Sequence, residues 1–297
     1  MPEIIFISIG QKAAQIIASA TSATVQSKTS KGIFLSTSTG WLVFLSFERY
    51  RGPLTINLSV RAKNADLFSI DEEILCNSEG MVFPQMGIDI GLSGVPIWNP
   101  PPPQSDLQNM GFREADVKEL IESYNRDNTH LLRAVLGPPA HDNVTGRSIT
   151  NLQHAIASLT QPLKHGQWAL VTSVIKPVIG MGEGLTPAGD DFVIGMFTSL
   201  SRWFPDQKTE YKEQLFAPVI DHAYQKTTTL SANLIECAAE GQADERIITA
   251  CDALMTGSPD PGQAVDALFT WGSTSGPAAL AGIAEASLTQ SDQISLS

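Results

Sequence analysis

The sequence predicts an α+β fold with a β-rich N-terminal part, antiparallel and either barrel-like or a sandwich, followed by a mostly helical C-terminal part. Short segments rich in Val, Ile, Phe and Thr fill the first third of the chain, whereas apolar residues at helical spacing recur in the rest. Between these parts, the four consecutive prolines at 100–103 remove backbone donors and favour an extended segment. We therefore predict two domains, a β-rich domain at residues 1–103 and a helical domain at residues 104–297.

Glycine and proline residues separate the strands of the first domain. Gly40 and the Gly52-Pro53 pair interrupt the apolar segments, and residues 55–60 alternate polar and apolar side chains. This alternation predicts a half-buried antiparallel strand. One early helix is predicted at 11–20, and strands are predicted at 32–36, 41–47, 54–60, 67–76, 80–84 and 87–92.

Helical patterns dominate the second domain. The apolar run at 169–175 fits either a strand or a helix. The predicted helices are 113–125, 151–163, 191–203, 208–225, 230–240, 245–255, 262–271 and 277–287.

The charge balance excludes one broad class of partner. The 297 residues carry 19 Lys and Arg against 31 Asp and Glu, a net charge of −12, and no stretch concentrates basic residues. Because a nucleic-acid backbone is bound by such a stretch, nucleic acid is not expected as a partner. A small anion remains compatible, since oriented backbone N–H groups make a locally positive pocket even in an acidic protein.

Cysteine and histidine spacing indicates neither a disulfide framework nor a zinc site. The three cysteines are far apart, which is typical of reduced thiols, and the five histidines show no H-x-x-x-H spacing. The sequence has no basic leader and no apolar run of membrane-spanning length. The expectation is a soluble, cytoplasmic protein without a membrane partner.

The most unusual stretch is residues 179–192, which we call the glycine-rich segment. Ordered glycines lose much chain entropy on folding, so their density indicates positive φ angles or a ligand close to the backbone. Asp190 suits the N-cap of the helix that follows, and Asp191 suits its first turn. The four glycines of the segment are Gly180, Gly182, Gly184 and Gly189.

The glycine-rich segment matches neither common phosphate motif. A P-loop ends in Gly-Lys-Ser/Thr, where this chain has Asp190 and Asp191, and the dinucleotide pattern fails at Leu185. What remains is a glycine-rich turn onto a helix, which can bind an anion through N–H groups or Mg²⁺ through Glu183 and the two aspartates. Lys176 is the nearest cation and could steer a carboxylate or phosphate. A capped tight turn is the alternative interpretation.

Two further segments place hydroxyl groups at predicted helix starts. They are residues 227–231 and residues 272–276. Each alone is typical of a helix cap. If the three helix starts converge, their dipoles and hydroxyls would form an anion pocket beside an acidic pair able to hold a metal or a proton.

These residues also resemble a known family. Residues 180–192, followed by Gly195, resemble the signature Gly-x-Gly-x-Gly-Leu-Thr-Pro-x-Gly-Asp-Asp of a bacterial family that includes a subunit of oxamate carbamoyltransferase. Residues 228–241 resemble its threonine-serine helix, and residues 272–282 its terminal Gly-x-Thr-Ser-Gly segment. The β-rich first third, ending at 97–100, is also similar.

The resemblance implies a role in the degradation of allantoin-derived ureides, in which oxalurate and phosphate become oxamate and carbamoyl phosphate. It also implies a complex with other subunits, one of them similar to acyl-CoA synthetases. The sequence departs from the family pattern in two places: Ser273 stands where a bulkier residue is expected, and residues 277–279 stand where an aromatic and an acidic residue are expected.

The leading hypothesis is a small-anion-binding protein that takes part in carbamoyl transfer. Glu183, Asp190 and Asp191 are the candidate catalytic residues, and the two aspartates are also the candidate ligands for Mg²⁺. The alternatives are a non-catalytic metabolite-sensing or partner subunit and a stand-alone metal-dependent hydrolase or lyase of a small acid. The candidate substrate-binding residues are Lys176, Gly180, Gly182, Gly184, Thr186, Gly189, Thr229, Ser231, Thr274, Ser275 and Gly276.

Overall fold

The computed structural model describes residues 4–60, 67–103, 147–204 and 208–294, together with positions 115 and 119, which are helical. The chain divides into two compact units, residues 1–100 and 101–297. The predicted fold class is confirmed, because a curled, mixed sheet of nine strands forms a half-barrel and is followed by a helical C-terminal region.

The N-terminal unit is one sheet with the strand order β8-β7-β6-β2-β3-β4-β5-β1-β9. The pairs β4–β5 and β1–β9 are parallel, and the other pairs are antiparallel. The sheet is therefore mixed. Its strands are β1 (Ile4–Gly10), β2 (Ser22–Thr29), β3 (Gly32–Thr37), β4 (Leu42–Ser46), β5 (Thr55–Val60), β6 (Glu73–Asn77), β7 (Gly80–Phe83), β8 (Ile88–Gly91) and β9 (Ile97–Trp98).

Strand β5 departs from the sequence prediction on one of its two sides. It is antiparallel to β1, as predicted for residues 55–60, but parallel to β4. The connection at 47–54 carries the chain back past β4 before β5 begins, so both strands run in the same direction. One helix, Gln11–Ser19, packs its buried residues Ala13, Ile16 and Ile17 onto the sheet.

The described part of the C-terminal unit consists of helices joined by turns and contains no strand. The run at 169–175 forms a helix, and the predicted helix at 113–125 lies outside the described residues except for positions 115 and 119. Three helical segments follow one another without a break: the short helix Lys208–Glu210, a π-helical turn at Tyr211–Phe216 and the helix Ala217–Lys226. The other helices are Arg147–Ala157, Thr160–Lys164, Trp168–Ile175, Ala188–Trp203, Thr229–Ala239, Glu245–Thr256, Pro261–Phe269 and Ser275–Ile294, and a 3-10 turn spans Lys176–Val178.

Two helices form the centre of this unit: the central helix, Ala188–Trp203, and the C-terminal helix, Ser275–Ile294. Every residue of the central helix after Ala188 is buried. A Cβ atom at Gly195 would lie 2.0 Å from the carbonyl oxygen of Ala279, and one at Gly282 would lie 2.0 Å from that of Phe192. Only glycine therefore permits this close approach of the two backbones.

The central and C-terminal helices run parallel. Gly195 lies against Ala279, and further along both helices the hydroxyl oxygens of Ser199 and Ser287 are 3.0 Å apart. The hydroxyl oxygen of Thr186, just before the central helix, is 3.3 Å from that of Ser275 at the start of the C-terminal helix, so the N-terminal ends of the two helices are neighbours. Among the described residues, no helix combines the length and the apolar character needed to cross a membrane.

Candidate functional site

The three helix starts singled out in the sequence lie together in the structure. The hydroxyl oxygens of Thr186 and Ser275 are 3.3 Å apart, which links the glycine-rich segment to the start of the C-terminal helix. The hydroxyl of Thr228 donates to the carbonyl oxygen of Leu185 at 2.8 Å, which links the same segment to helix Thr229–Ala239. We call the resulting group the helix-start site, and its members are Thr186, Asp190, Asp191, Thr227, Ser231 and Ser275.

Three of the four glycines in the glycine-rich segment lie so close to other backbone atoms of the protein that a side chain would not fit. Gly180, Gly182 and Gly184 have φ angles of 79°, 120° and 98°. Gly184 is the member of this group around which a Cβ atom would meet nothing within 4 Å. A Cβ atom at Gly180, Gly182 or Gly189 would lie, respectively, 2.8 Å from Lys226 O, 2.6 Å from Ala188 N and 2.1 Å from Val178 O.

Asp190 holds the glycine-rich segment closed. The prediction that it caps the helix is wrong, because the helix begins at Ala188 with Pro187 at the N-cap position, and Asp190 lies in the first turn. Its carboxylate accepts a hydrogen bond from Gly180 N at 2.7 Å and another from the hydroxyl of Thr227. Burial raises the pKa of Asp190, and the hydrogen bonds from Thr227 and Gly180 lower it.

Asp191 is the unusual group of the site. Its side chain is fully buried, and within the described part of the chain neither of its carboxylate oxygens has a hydrogen-bond partner. Burial raises its pKa well above the ordinary range, and the charge of Asp190 raises the pKa further. The hydroxyls of Ser275 and Thr186 lie close enough to the carboxylate to lower the pKa, although neither meets the geometry of a hydrogen bond to it. The buried hydroxyl of Ser231 likewise meets hydrogen-bond geometry with none of the described residues, although it lies close enough to Asp190 to lower the pKa of that carboxyl.

The backbone N–H groups at the start of the central helix are already used. Gly189 N donates to Met181 O at 2.8 Å, and the amides of Asp190 and Asp191 donate to Pro187 O at 2.9 and 3.1 Å. These three amides are therefore engaged within the protein and do not point at a ligand. The hydroxyl and carboxyl side chains are what the site offers.

The remaining predicted site residues take less central positions. Lys176 lies in the 3-10 turn, is partly exposed, and makes no hydrogen bond or ion pair with either aspartate in the described structure. Glu183, Thr229 and Thr274 are exposed. Gly276 packs against the backbone, since a Cβ atom there would lie 2.5 Å from Leu268 O.

Two contacts of the site were not assigned from the sequence. The hydroxyl of Thr227 binds Asp190, and that of Thr228 accepts from Ser231 N at 3.1 Å as the N-cap of its helix. Three threonines stand side by side at 227–229. Nothing in the sequence distinguishes the two that bind from Thr229, which faces solvent.

The described residues contain no group of three or more His, Cys, Asp and Glu side chains able to hold a metal ion. Both oxygens of Asp190 accept hydrogen bonds, so Asp191 alone of the pair has unengaged oxygens. A Mg²⁺ ion at Asp191 would therefore need most of its ligands from a substrate and from water, which is a common arrangement for this ion.

Comparison with known proteins locates the resemblance in the helical unit. No curated protein and no solved structure gives a significant match to the chain. Residues 178–287, however, match the family model of the oxamate carbamoyltransferase subunit AllH. The matched segment contains the whole helix-start site, both glycines of the central crossing and all of helix Thr229–Ala239. This match, which covers residues 178–287, supports membership of the chain in the family of the oxamate carbamoyltransferase subunit AllH.

Proposed function

We propose that the chain is the subunit of a cytoplasmic oxamate carbamoyltransferase that binds the small substrate, and that the helix-start site is where it does so. The observation that carries this proposal is the buried, unpartnered carboxyl group of Asp191 inside the family segment. Burying such a group without a partner is unfavourable by about 1–3 kcal/mol or more. A ligand that donates hydrogen bonds to this carboxyl group would offset that unfavourable free energy.

The proposed reaction converts oxalurate and phosphate to oxamate and carbamoyl phosphate. A phosphate oxygen bonds to the terminal carbamoyl carbon, the bond from that carbon to the inner nitrogen breaks, and the proton of the phosphate ends on the nitrogen of oxamate. The site offers the hydroxyls of Thr186, Ser231 and Ser275 for hydrogen bonds and the carboxyl group of Asp191 to accept an N–H group or hold a proton. Other subunits, including one similar to acyl-CoA synthetases, would complete the enzyme.

Thermal unfolding of the full chain with oxalurate, oxamate, carbamoyl phosphate or phosphate, each with and without Mg²⁺, tests this proposal. A ligand present at a hundred times its Kd adds about 2.7 kcal/mol to the free energy of unfolding, which is a readily measured shift. We expect shifts with the carbamoyl compounds, and a shift that requires Mg²⁺ would identify the ion as part of the bound state.

Two variants and a control connect any shift to the site. Thr186→Val and Ser275→Ala remove the paired hydroxyls and should weaken the shift, whereas Ser173→Ala, on helix Trp168–Ile175, removes an exposed hydroxyl and should leave the shift intact. A folded full chain that shows no shift with any of the four compounds would contradict the proposal.

A further inference from the structure

Among the buried polar groups of the helix-start site, Asp191 has the largest unmet need for donors. Its neighbour Asp190 receives an N–H group and a hydroxyl, and the hydroxyls of Thr186 and Ser275 lie within 3.3 Å of each other. Asp191 receives no hydrogen bond from the described residues. An ionised carboxylate accepts only, and a protonated one keeps an acceptor oxygen. In either state Asp191 therefore has an acceptor oxygen with which a ligand donor can pair.

We propose that Asp191 recognises the terminal N–H2 group of a carbamoyl or primary-amide ligand and makes the site select such ligands over isosteric acids that lack the N–H group. This inference rests on the proposed function, because it assumes that a small acid occupies the helix-start site. It adds which residue selects the class of ligand, Asp191, and which group of the ligand that residue binds, the N–H2 group.

The surroundings of Asp191 support an amide over other donors. A primary amide is small and uncharged, so it enters a fully buried position with less desolvation than an ammonium or guanidinium group. It also carries a carbonyl oxygen beside the N–H2 group, and the hydroxyls of Thr186 and Ser275, both only partly buried, can donate to that oxygen. The N–H2 group and the carbonyl oxygen of one amide can thus pair with Asp191 and with these two neighbouring hydroxyls.

Oxamate and pyruvate are the probes that isolate this interaction. Both carry one carboxylate and one adjacent carbonyl group, and they differ in the replacement of N–H2 by methyl. Isothermal titration of the full chain should give oxamate an affinity about tenfold or more above that of pyruvate, because pyruvate leaves the buried acceptor unpaired.

Two substitutions at Asp191 distinguish the loss of hydrogen-bond acceptors from a change in the shape of the side chain. Asp191→Ala removes both acceptor oxygens and should bring the two affinities to within about twofold of each other. Asp191→Asn keeps one acceptor oxygen and should retain part of the preference for oxamate. The control Asp221→Asn changes an exposed carboxylate on helix Ala217–Lys226 and should preserve the preference of the unmodified protein.

The outcomes distinguish this inference from the function on which it rests. Equal binding of oxamate and pyruvate by the unmodified chain, or an unchanged preference in Asp191→Ala, would overturn the role of Asp191 while leaving the proposed function in place. Failure of a folded full chain to bind oxamate at all would overturn both. If Asp191→Ala does not fold, the comparison of the two probes in the unmodified chain and in Asp191→Asn still decides the matter.

Discussion

Asp190 and Asp191 are adjacent in the first turn of one helix and have opposite structural roles. Asp190 accepts hydrogen bonds from Gly180 and from Thr227. It therefore links the glycine-rich segment to the residues just before helix Thr229–Ala239. Asp191 is equally buried and receives no hydrogen bond from the described residues. One carboxylate therefore joins parts of the fold through hydrogen bonds, and we expect the other to lower the stability of the fold.

The matched alanine variants of this pair should change stability in opposite directions. Asp191→Ala removes an unpartnered buried carboxyl group and should raise the free energy of unfolding by about 1 kcal/mol or more. Asp190→Ala leaves Gly180 N and the Thr227 hydroxyl unpaired and should lower it by about 2–3 kcal/mol. Urea unfolding at neutral pH measures both, and a loss of stability in Asp191→Ala as large as that in Asp190→Ala would contradict this assignment.

The sequence identified both aspartates as candidate site residues, but it did not indicate that Asp190 would be hydrogen-bonded within the protein and Asp191 would not. The partners of Asp190 are Gly180, ten residues before it, and Thr227, 37 residues after it. Local rules for helix caps address neither contact, and they assigned Asp190 to a capping position that Pro187 occupies. Which of two adjacent carboxylates is paired depends on tertiary contacts.

At the scale of elements, the parallel approach of the central and C-terminal helices is what creates the site. Gly195 and Gly282 allow the two backbones to touch, and this contact places two helix N-terminal ends side by side. The positive ends of both helix dipoles favour negative charge at this point, which suits the two aspartates and an anionic ligand. The helical patterns of the sequence predicted both helices, but the direction in which they pack is not a local property.

Helix Thr229–Ala239 depends on one threonine of three. The hydroxyl of Thr228 accepts from Ser231 N and donates to Leu185 O. Thr228→Ala should therefore lower the free energy of unfolding by about 1–2 kcal/mol, whereas Thr228→Ser should retain most of it. Thr229→Ala, at the neighbouring exposed position, should change it by less than about 0.5 kcal/mol. Equal effects of the two alanine variants in urea unfolding would argue against this role of Thr228.

The sheet shows the same limit of sequence-based prediction. The alternating pattern of residues 55–60 predicted strand β5 correctly, but its parallel partner β4 is fixed by the path of the connection between them. Strands β1 and β9 come from opposite ends of the N-terminal unit and pair with each other in parallel. Strand periodicity indicates which face of a strand is buried and does not identify its neighbours.

At the scale of the whole molecule, acidic groups buried in the helical unit make stability depend on pH. Glu285 on the C-terminal helix is 3% exposed, and it accepts a hydrogen bond from the hydroxyl of Thr160 at 2.9 Å. Burial raises the pKa of Glu285 from 4.5 to about 7, although the Thr160 hydroxyl opposes the shift. The folded protein therefore binds this proton more tightly than the unfolded chain does.

The sign of the pH effect follows from this difference. Between pH 4.5 and about 7 the folded state holds more protons at Glu285, so stability should fall as pH rises, by roughly 3 kcal/mol over the window. Glu285→Gln should remove this part of the slope. Urea unfolding of both proteins from pH 5 to pH 8 measures the difference, and parallel profiles would show that Glu285 does not titrate in this way.

The most direct test of the central claim is a crystal structure of the full chain grown with saturating oxamate. We expect oxamate at the helix-start site, with its amide nitrogen within hydrogen-bond distance of the carboxyl group of Asp191 and its carbonyl oxygen toward the hydroxyls of Thr186 and Ser275. Oxamate bound elsewhere on the chain, with Asp191 still without a donor, would contradict the claim.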